Sequence, residues 1–134
     1  SQRGGAFYSE VALSLIDSIY RNTGKMHVVN TVNRGAITDL EENDVIEINC
    51  LVDSRGAKPL ASGKLPPAIS SLVRQVKTYE RFTIEAAVEG SREKAFLALL
   101  NHPIVHGANT AKMLLERLFE AHRPYLQQFF TGRG

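Results

Sequence analysis

The residues of this chain that could do chemistry are four histidines, one cysteine, a set of helix-borne charges and a short arginine–glycine segment near the start. His102 and His106 are four apart, but Pro103 and Gly107 make their surroundings a loop. No neighbouring side chains complete a metal-ligand set around them, so no metal site is expected within the chain. His27 opens a strand-like run. His122 falls in the last turn of a helical run, where a partial positive charge suits the dipole. Both read as structural or solvated. Cys50 lies inside an apolar alternation and reads as a small buried hydrophobe. Lys77, Glu80, Arg81 and Glu85 read as ion pairs along a helix face, or as a buried interdomain network. Arg3-Gly4-Gly5 is not a Gly-x-Gly-x-x-Gly turn, and no strand precedes it. A phosphate loop and a nucleophile elbow are both missing from the sequence. No complete active site is therefore expected. The segment Arg3–Ser9 stands apart. Its glycines permit close backbone approach ahead of a helix, whose N-terminus favours anions. Arg3 offers a guanidinium suited to a phosphate or a carboxylate. The plainer reading is a flexible junction with a glycine cap.

The elements that must position these groups can be read from periodicity. Residues 8–21 form an amphipathic helical pattern, with Val11, Ala12, Leu15, Ile16, Ile19 and Tyr20 on one stripe. Ser14, Asp17, Ser18 and Arg21 take the other side, and Gly24 is the expected cap. His27–Asn33 is β-branched and reads as a strand. Arg34–Ile37 bends it or starts a second short one, and Glu41–Asp44 is a polar turn. Val45–Val52 alternates, with Ile46, Ile48, Cys50 and Val52 on one face. Asp53–Gly56 is of hairpin length, and Ala57–Ala61 returns as a strand placed at an edge by Pro59. Pro67 opens a helix that carries Ile69, Leu72, Val73, Val76 and Tyr79 and runs to Val88. Gly90 ends it, and Ser91 caps a helix running to Asn101. A last helix covers Ala108–His122, stopped by Pro124. The order is a helix, three or four strands, then three helices. That is an α+β class with a small, mainly antiparallel sheet.

Composition bounds the rest. A chain of 134 residues is enough for one domain, 1–134, with a core of its own. Apolar residues make up 43% and charged residues 22%, as in ordinary globular domains. A single cysteine excludes an internal disulfide. Sixteen basic and fourteen acidic residues are interspersed, and a net charge of +2 gives no footprint for nucleic acid or a membrane surface. No apolar run reaches the ~18 residues of a membrane helix. With no signal-peptide pattern in Ser1–Gly5, a cytoplasmic protein is expected. The chain does not open on methionine, and a segment of something longer is expected. Apolar residues spill past one stripe in the first helix, at Leu13. They do so again in the last helix and tail, at Met113, Leu114, Leu115, Leu118, Phe119, Tyr125, Leu126, Phe129 and Phe130. Exposed apolar surface and a homo-oligomer, a dimer by preference, are expected.

Several stretches together resemble one family. They are Arg3–Ser9, Asn30–Ile37, Val45–Cys50, Val76–Arg81, Glu85-Ala86, Leu99–Pro103 and Glu120–Tyr125. In this order they resemble the C-terminal part of the NAD- and metal-dependent phospho-glycosidases of glycoside hydrolase family four, over essentially the whole chain. The Arg-Gly-Gly-Ala-aromatic-Tyr-Ser form is most similar to the branch acting on 6-phospho-β-glucosides, such as phosphorylated cellobiose.

That resemblance implies a route of oxidation, elimination, addition and reduction: NAD takes a hydride from C3 of the sugar, the C2 proton is lost, the aglycone leaves, water adds and the hydride returns. A divalent metal, manganese by expectation, stabilises the charge that develops. The scheme is not the two-carboxylate one, so no acid/base pair is sought. It also implies that the NAD-binding half, the metal-binding Cys and His and the catalytic Tyr precede residue 1, and that Cys50 is not that ligand. The chain alone is expected to be inactive and to bind neither NAD nor metal. The implied fold is similar to the C-terminal domain of lactate and malate dehydrogenases. Arg3 and Tyr8 carry over as substrate-binding residues; for Tyr8 the plainer reading is a core aromatic. Implied partners are the chain's own N-terminal domain, the phosphorylated disaccharide and further copies of the protein. Two other readings stand beside this one: the branch acting on 6-phospho-α-glucosides, and a non-catalytic dimerisation or interaction module.

Overall fold

The structure, a computed structural model, describes residues 8–131. It forms two compact units, one ending at Leu65 and the other beginning at Pro66. Arg3 and the glycines beside it lie outside the described residues.

The first unit is one helix on a three-stranded antiparallel sheet: α1 Tyr8–Tyr20, β1 Lys25–Val32, β2 Val45–Asp53 and β3 Gly56–Pro59, in sheet order β1-β2-β3. The central strand β2 alternates as its sequence requires. Ile46, Ile48, Cys50 and Val52 are buried, and Val45, Glu47, Asn49 and Leu51 are exposed. With Ala36 they make the core, joined by Leu15, Val29, Ile37, Leu40 and Ala57. Pro59 sits opposite Cys50 on the edge strand, where its missing N–H costs no ladder bond. The strand stops there rather than at Ala61, although the Leu60 N–H still donates to the Asn49 carbonyl at 2.9 Å. Arg34–Ile37 is a turn and not a strand; its one ladder contact is an isolated bridge from Ile37 to Gly63.

Two expectations for α1 are corrected. The left-handed residue that ends it is Asn22 (φ 55), not Gly24. The Thr23 N–H reaches back to the Ser18 carbonyl at 3.1 Å, which is the long bond of a Schellman closure with Asn22 in the glycine position. The second correction concerns its faces. Val11, Ile16, Ile19 and Tyr20 of the apolar stripe are exposed, whereas Ser18 from the polar side is wholly buried. Leu15 alone of the stripe packs on the core. Hydrophobic periodicity marks which face wants cover, and in this chain most of that face has none.

The second unit is helical: α2 Pro67–Glu89, α3 Arg92–Asn101 and α4 Ala108–Ala121, followed by 3-10 turns at Arg123–Tyr125 and Gln127–Phe129. Pro67 opens α2, and Gly90 (φ 70) closes it with its N–H on the Ala86 carbonyl. Ser91 caps α3, its side chain accepting from the Lys94 N–H at 3.2 Å. The core is Ala86, Ala98, Ala111, Leu115 and Phe119. The tail returns over α4, placing Phe129 4.8 Å from the Phe119 ring and the Gln128 carbonyl against Gly90. Ile69 and Leu72, expected on the buried stripe of α2, are exposed in its first turns. Among the described residues no helix is long and apolar enough to cross a membrane.

Candidate functional site

Tyr8 opens α1 and is 75% exposed. It is therefore not the core aromatic of the plainer reading, and its ring and hydroxyl are available to whatever lies ahead of the helix. Glu10 occupies the first turn of α1. A carboxylate there already complements the helix dipole, so an anion near this end needs a cation of its own. Arg3 is the residue of that kind in the preceding segment. The structure thus places Tyr8, and says nothing of Arg3.

The helix behind Tyr8 is seated by its second half. Ser18 Oγ and His27 Nε2 are 2.7 Å apart, joining α1 to β1. Asp17 pairs with Arg21 at 2.9 Å and with Lys25, the first residue of β1, at 3.6 Å. Asn22 Oδ1 accepts from the N–H and the hydroxyl of Ser54, in the turn after β2, at 3.1 and 2.9 Å. Every residue from Tyr8 to Ser14 is exposed.

A second organised feature follows β1. Asn33 has no exposed surface. Its amide NH2 donates to the carbonyls of Ile37, Leu40 and Glu41 at 3.0, 3.2 and 3.0 Å, and its Oδ1 accepts from the Ile37 N–H at 2.8 Å. One side chain therefore supplies the hydrogen bonds that a sheet would otherwise give this loop. The loop is tied to the stretch ahead of Pro66 by Ser62 N–H to Ala36 carbonyl (2.8 Å) and by Leu65 N–H to Asp39 carboxylate (2.8 Å).

Most of the remaining candidates sit in packing or ion-pair contacts. Cys50 is fully buried, its thiol 3.5 Å from the Ile48 carbonyl, and burial pushes its pKa up, away from a reactive thiolate. His102 stands edge-on to Tyr79 with centroids 4.6 Å apart, and its Nδ1 accepts from the Ile104 N–H at 3.3 Å. His106 and His122 are exposed. Lys77 pairs with Glu80 at 2.6 Å, while Glu85 and Glu89 both hold Lys94 at 2.7 Å, which raises the ammonium pKa. Among the described residues no three His, Cys, Asp or Glu side chains converge as a metal centre. An apolar hollow of about 280 Å³ lies among Tyr79, Ala86, Ala98, Leu115 and Phe119, with no charged side chain in its wall. Sequence reasoning missed Ser18–His27 and the Asn33 hub. Asn33 lies inside a stretch that carries the family resemblance, but nothing in spacing alone separates a buried asparagine from a loop one.

An α+β unit followed by a helical unit is an architecture this chain shares with known proteins. The chain belongs to the Family 4 glycosyl hydrolase C-terminal domain family, matched over residues 1–105. It is 43% identical over 130 residues to the "Probable 6-phospho-beta-glucosidase" of Bacillus subtilis (strain 168), covering 97% of this chain and 29% of that protein. The 6-phospho-beta glucosidase of Thermotoga maritima, solved with NAD and glucose-6-phosphate, superposes with a TM-score of 0.83 at 43% identity, over 92% of this chain and 30% of that one. Another structure of that enzyme holds manganese, NAD+ and glucose-6-phosphate. A 6-phospho-alpha-glucosidase from gut microorganisms, in complex with NAD and glucose-6-phosphate, superposes with a TM-score of 0.85 at 28% identity, over 90% of this chain and 27% of that one. The chain thus spans about three-tenths of the length of the relatives it matches.

Proposed function

We propose that residues 1–134 are a single domain, the C-terminal substrate-side and assembly domain of a bacterial family-four glycosidase that hydrolyses 6-phospho-β-glucosides such as phosphorylated cellobiose. The observation that carries this is identity of 42–43% to two proteins named for that activity, against at most 32% to the relatives named for alpha-linked substrates. The folds do not separate the two branches, with TM-scores of 0.83 and 0.85. In this reading NAD and manganese supply the redox step and the charge stabilisation. In the same reading those groups sit on the N-terminal part of the enzyme. This chain contributes Tyr8 and Arg3 to the sugar-phosphate side, Arg3 as a charge-assisted donor to the phosphate. The exposed apolar face of α1 supports the N-terminal part as a partner, because apolar surface of this kind calls for cover. The setting is the cytoplasm, where sugar phosphates are held.

The test is the complete enzyme assayed with NAD and manganese on both anomers of a 6-phosphoglucoside. Turnover of the β anomer alone is expected, and turnover of the α anomer alone overturns the reading. Arg3→Ala is expected to lower kcat/KM by roughly tenfold to a hundredfold, the worth of one charge-assisted hydrogen bond. An unchanged value returns Arg3 to a glycine-flanked junction.

A further inference from the structure

The side chain that α1 buries most completely is a serine, and its partner is a histidine. Ser18 has no exposed surface. His27 is half-buried on the sheet face shared with Cys50, its register partner, and its Nε2 lies 2.7 Å from Ser18 Oγ. Leu15 packs on the core from the same helix, and Asn22, just past its end, accepts twice from Ser54 at an exposed site. An apolar contact is non-directional and lets a helix roll or tilt. A hydrogen bond of this length fixes distance and direction together. The ion pair from Asp17 to Lys25 is long, at 3.6 Å, and its partners are 37% and 58% exposed, so it adds little. Leu15 thus holds α1 down, and Ser18–His27 sets its angle.

The lever that follows is long. From Ser18 back to Tyr8 there are ten residues, or about 15 Å of helix. The last seven of them, Tyr8–Ser14, are exposed and find no support among the described residues. A tilt of about 10° at Ser18 would carry Tyr8 by about 2.6 Å over such an arm.

We propose that Ser18 and His27 are a positioning pair, whose hydrogen bond sets α1 and thereby places Tyr8 against the phosphorylated sugar. This rests on the reading of Tyr8 as a substrate-side residue. The pair touches no substrate and acts through the helix alone.

The experiment uses the complete enzyme and a chromogenic 6-phospho-β-glucoside. Ser18→Ala and His27→Leu are expected to raise KM about three- to tenfold with kcat changed less than twofold, since the helix stays on its core through Leu15 while its angle relaxes. His27→Gln places an amide close to where Nε2 stood and is expected to recover most of the loss, which a merely space-filling role would not show. In a Tyr8→Ala background, Ser18→Ala is expected to add no further rise in KM, because the residue it positions is gone. If Tyr8→Ala raises KM while Ser18→Ala and His27→Leu do not, the positioning role is overturned. Equal losses for His27→Gln and His27→Leu, or additive effects of Tyr8→Ala and Ser18→Ala, overturn it as well. An unchanged KM in Tyr8→Ala removes the underlying reading of Tyr8, an outcome distinct from failure of the pair.

Discussion

Asn33 shows how much one buried amide can hold. Its carboxamide meets four backbone groups between Ile37 and Glu41, and no water reaches it. Removing it leaves three carbonyls and one N–H of a partly buried loop without that partner. Unpaired buried groups cost roughly 1–3 kcal/mol each, and loop relaxation recovers part of that sum. Asn33→Ala is expected to destabilise the first unit by about 3 kcal/mol in urea unfolding. Asn33→Asp is expected to be worse, because a carboxylate would face three carbonyl oxygens. A loss of less than about 1 kcal/mol for Asn33→Ala would mean the loop holds itself.

Asp53 makes a different kind of residue-scale prediction. Its carboxylate accepts from the Arg55 side chain and backbone N–H, both at 2.8 Å, with Lys58 at 3.4 Å. The Arg55 hydrogen bonds, chiefly, hold its pKa well below the usual carboxylate range. A lowered carboxyl pKa favours the folded state above its unfolded value of ~3.9, and the gain disappears as pH falls through the folded value. The stability gap between the wild-type chain and Asp53→Asn is therefore expected to be widest near neutrality and to narrow towards about pH 2. A gap that stays constant over that range would disconnect Asp53 from the acid limb.

At the scale of elements, two of the positive-φ glycines make a matched pair. Gly24 (φ 66) and Gly90 (φ 70) have nearly the same backbone, but a Cβ at Gly24 meets nothing within 4 Å, whereas one at Gly90 collides with the Gln128 carbonyl. Gly24→Ala should cost only the left-handed conformation, about 1–2 kcal/mol. Gly90→Ala should cost more, because the tail must also lift from the α2–α3 corner. Equal losses in thermal melts of the two variants would show that the tail yields freely. The sequence displayed some of these elements plainly and hid others. β2 was legible because both its faces obey one rule: alternate residues enter a core that the unit itself supplies. The ends of α2 and α3 were legible because Pro67, Gly90 and Ser91 each satisfy a local backbone need. α1 was misread because most of its apolar stripe finds no cover among the described residues, while its buried Ser18 is paired with His27, nine residues on. Arg3 stood out beside glycines ahead of a helix, Tyr8 was reached through resemblance, and no pattern of residue types announced Ser18–His27.

For the whole molecule, the decisive quantity is uncovered apolar surface. Leu13, Ile16 and Tyr20 on α1 are 66%, 60% and 88% exposed, and Ile84 and Val88 on α2 are 63% and 81% exposed. Met113 and Leu118, expected to spread apolar surface around α4, are exposed as well. Residues of this kind seldom cluster on an isolated globule unless another surface covers them. Sedimentation of the purified chain is expected to show self-association that grows with concentration. A single 14.8 kDa species throughout, without binding of a hydrophobic dye, would refute it. Titration with NAD is expected to give no heat at micromolar concentrations, because the sequence carries no dinucleotide turn. Tight NAD binding would place a cofactor site in a chain read here as having none.

The burial of Cys50 gives the protein an internal clock. It is the sole thiol in 134 residues, and it lies on the central strand of the first unit with no surface open to reagent. An alkylating agent can reach it only when that unit opens, so the rate of labelling counts openings of the sheet and is silent about the helical unit. Followed across a urea series against the loss of helical circular dichroism, the clock distinguishes a chain that melts as one body from a chain that melts in halves. Labelling and helix loss that rise together would bind the two units into one cooperative fold. Labelling that runs ahead would make the sheet the first part to give way.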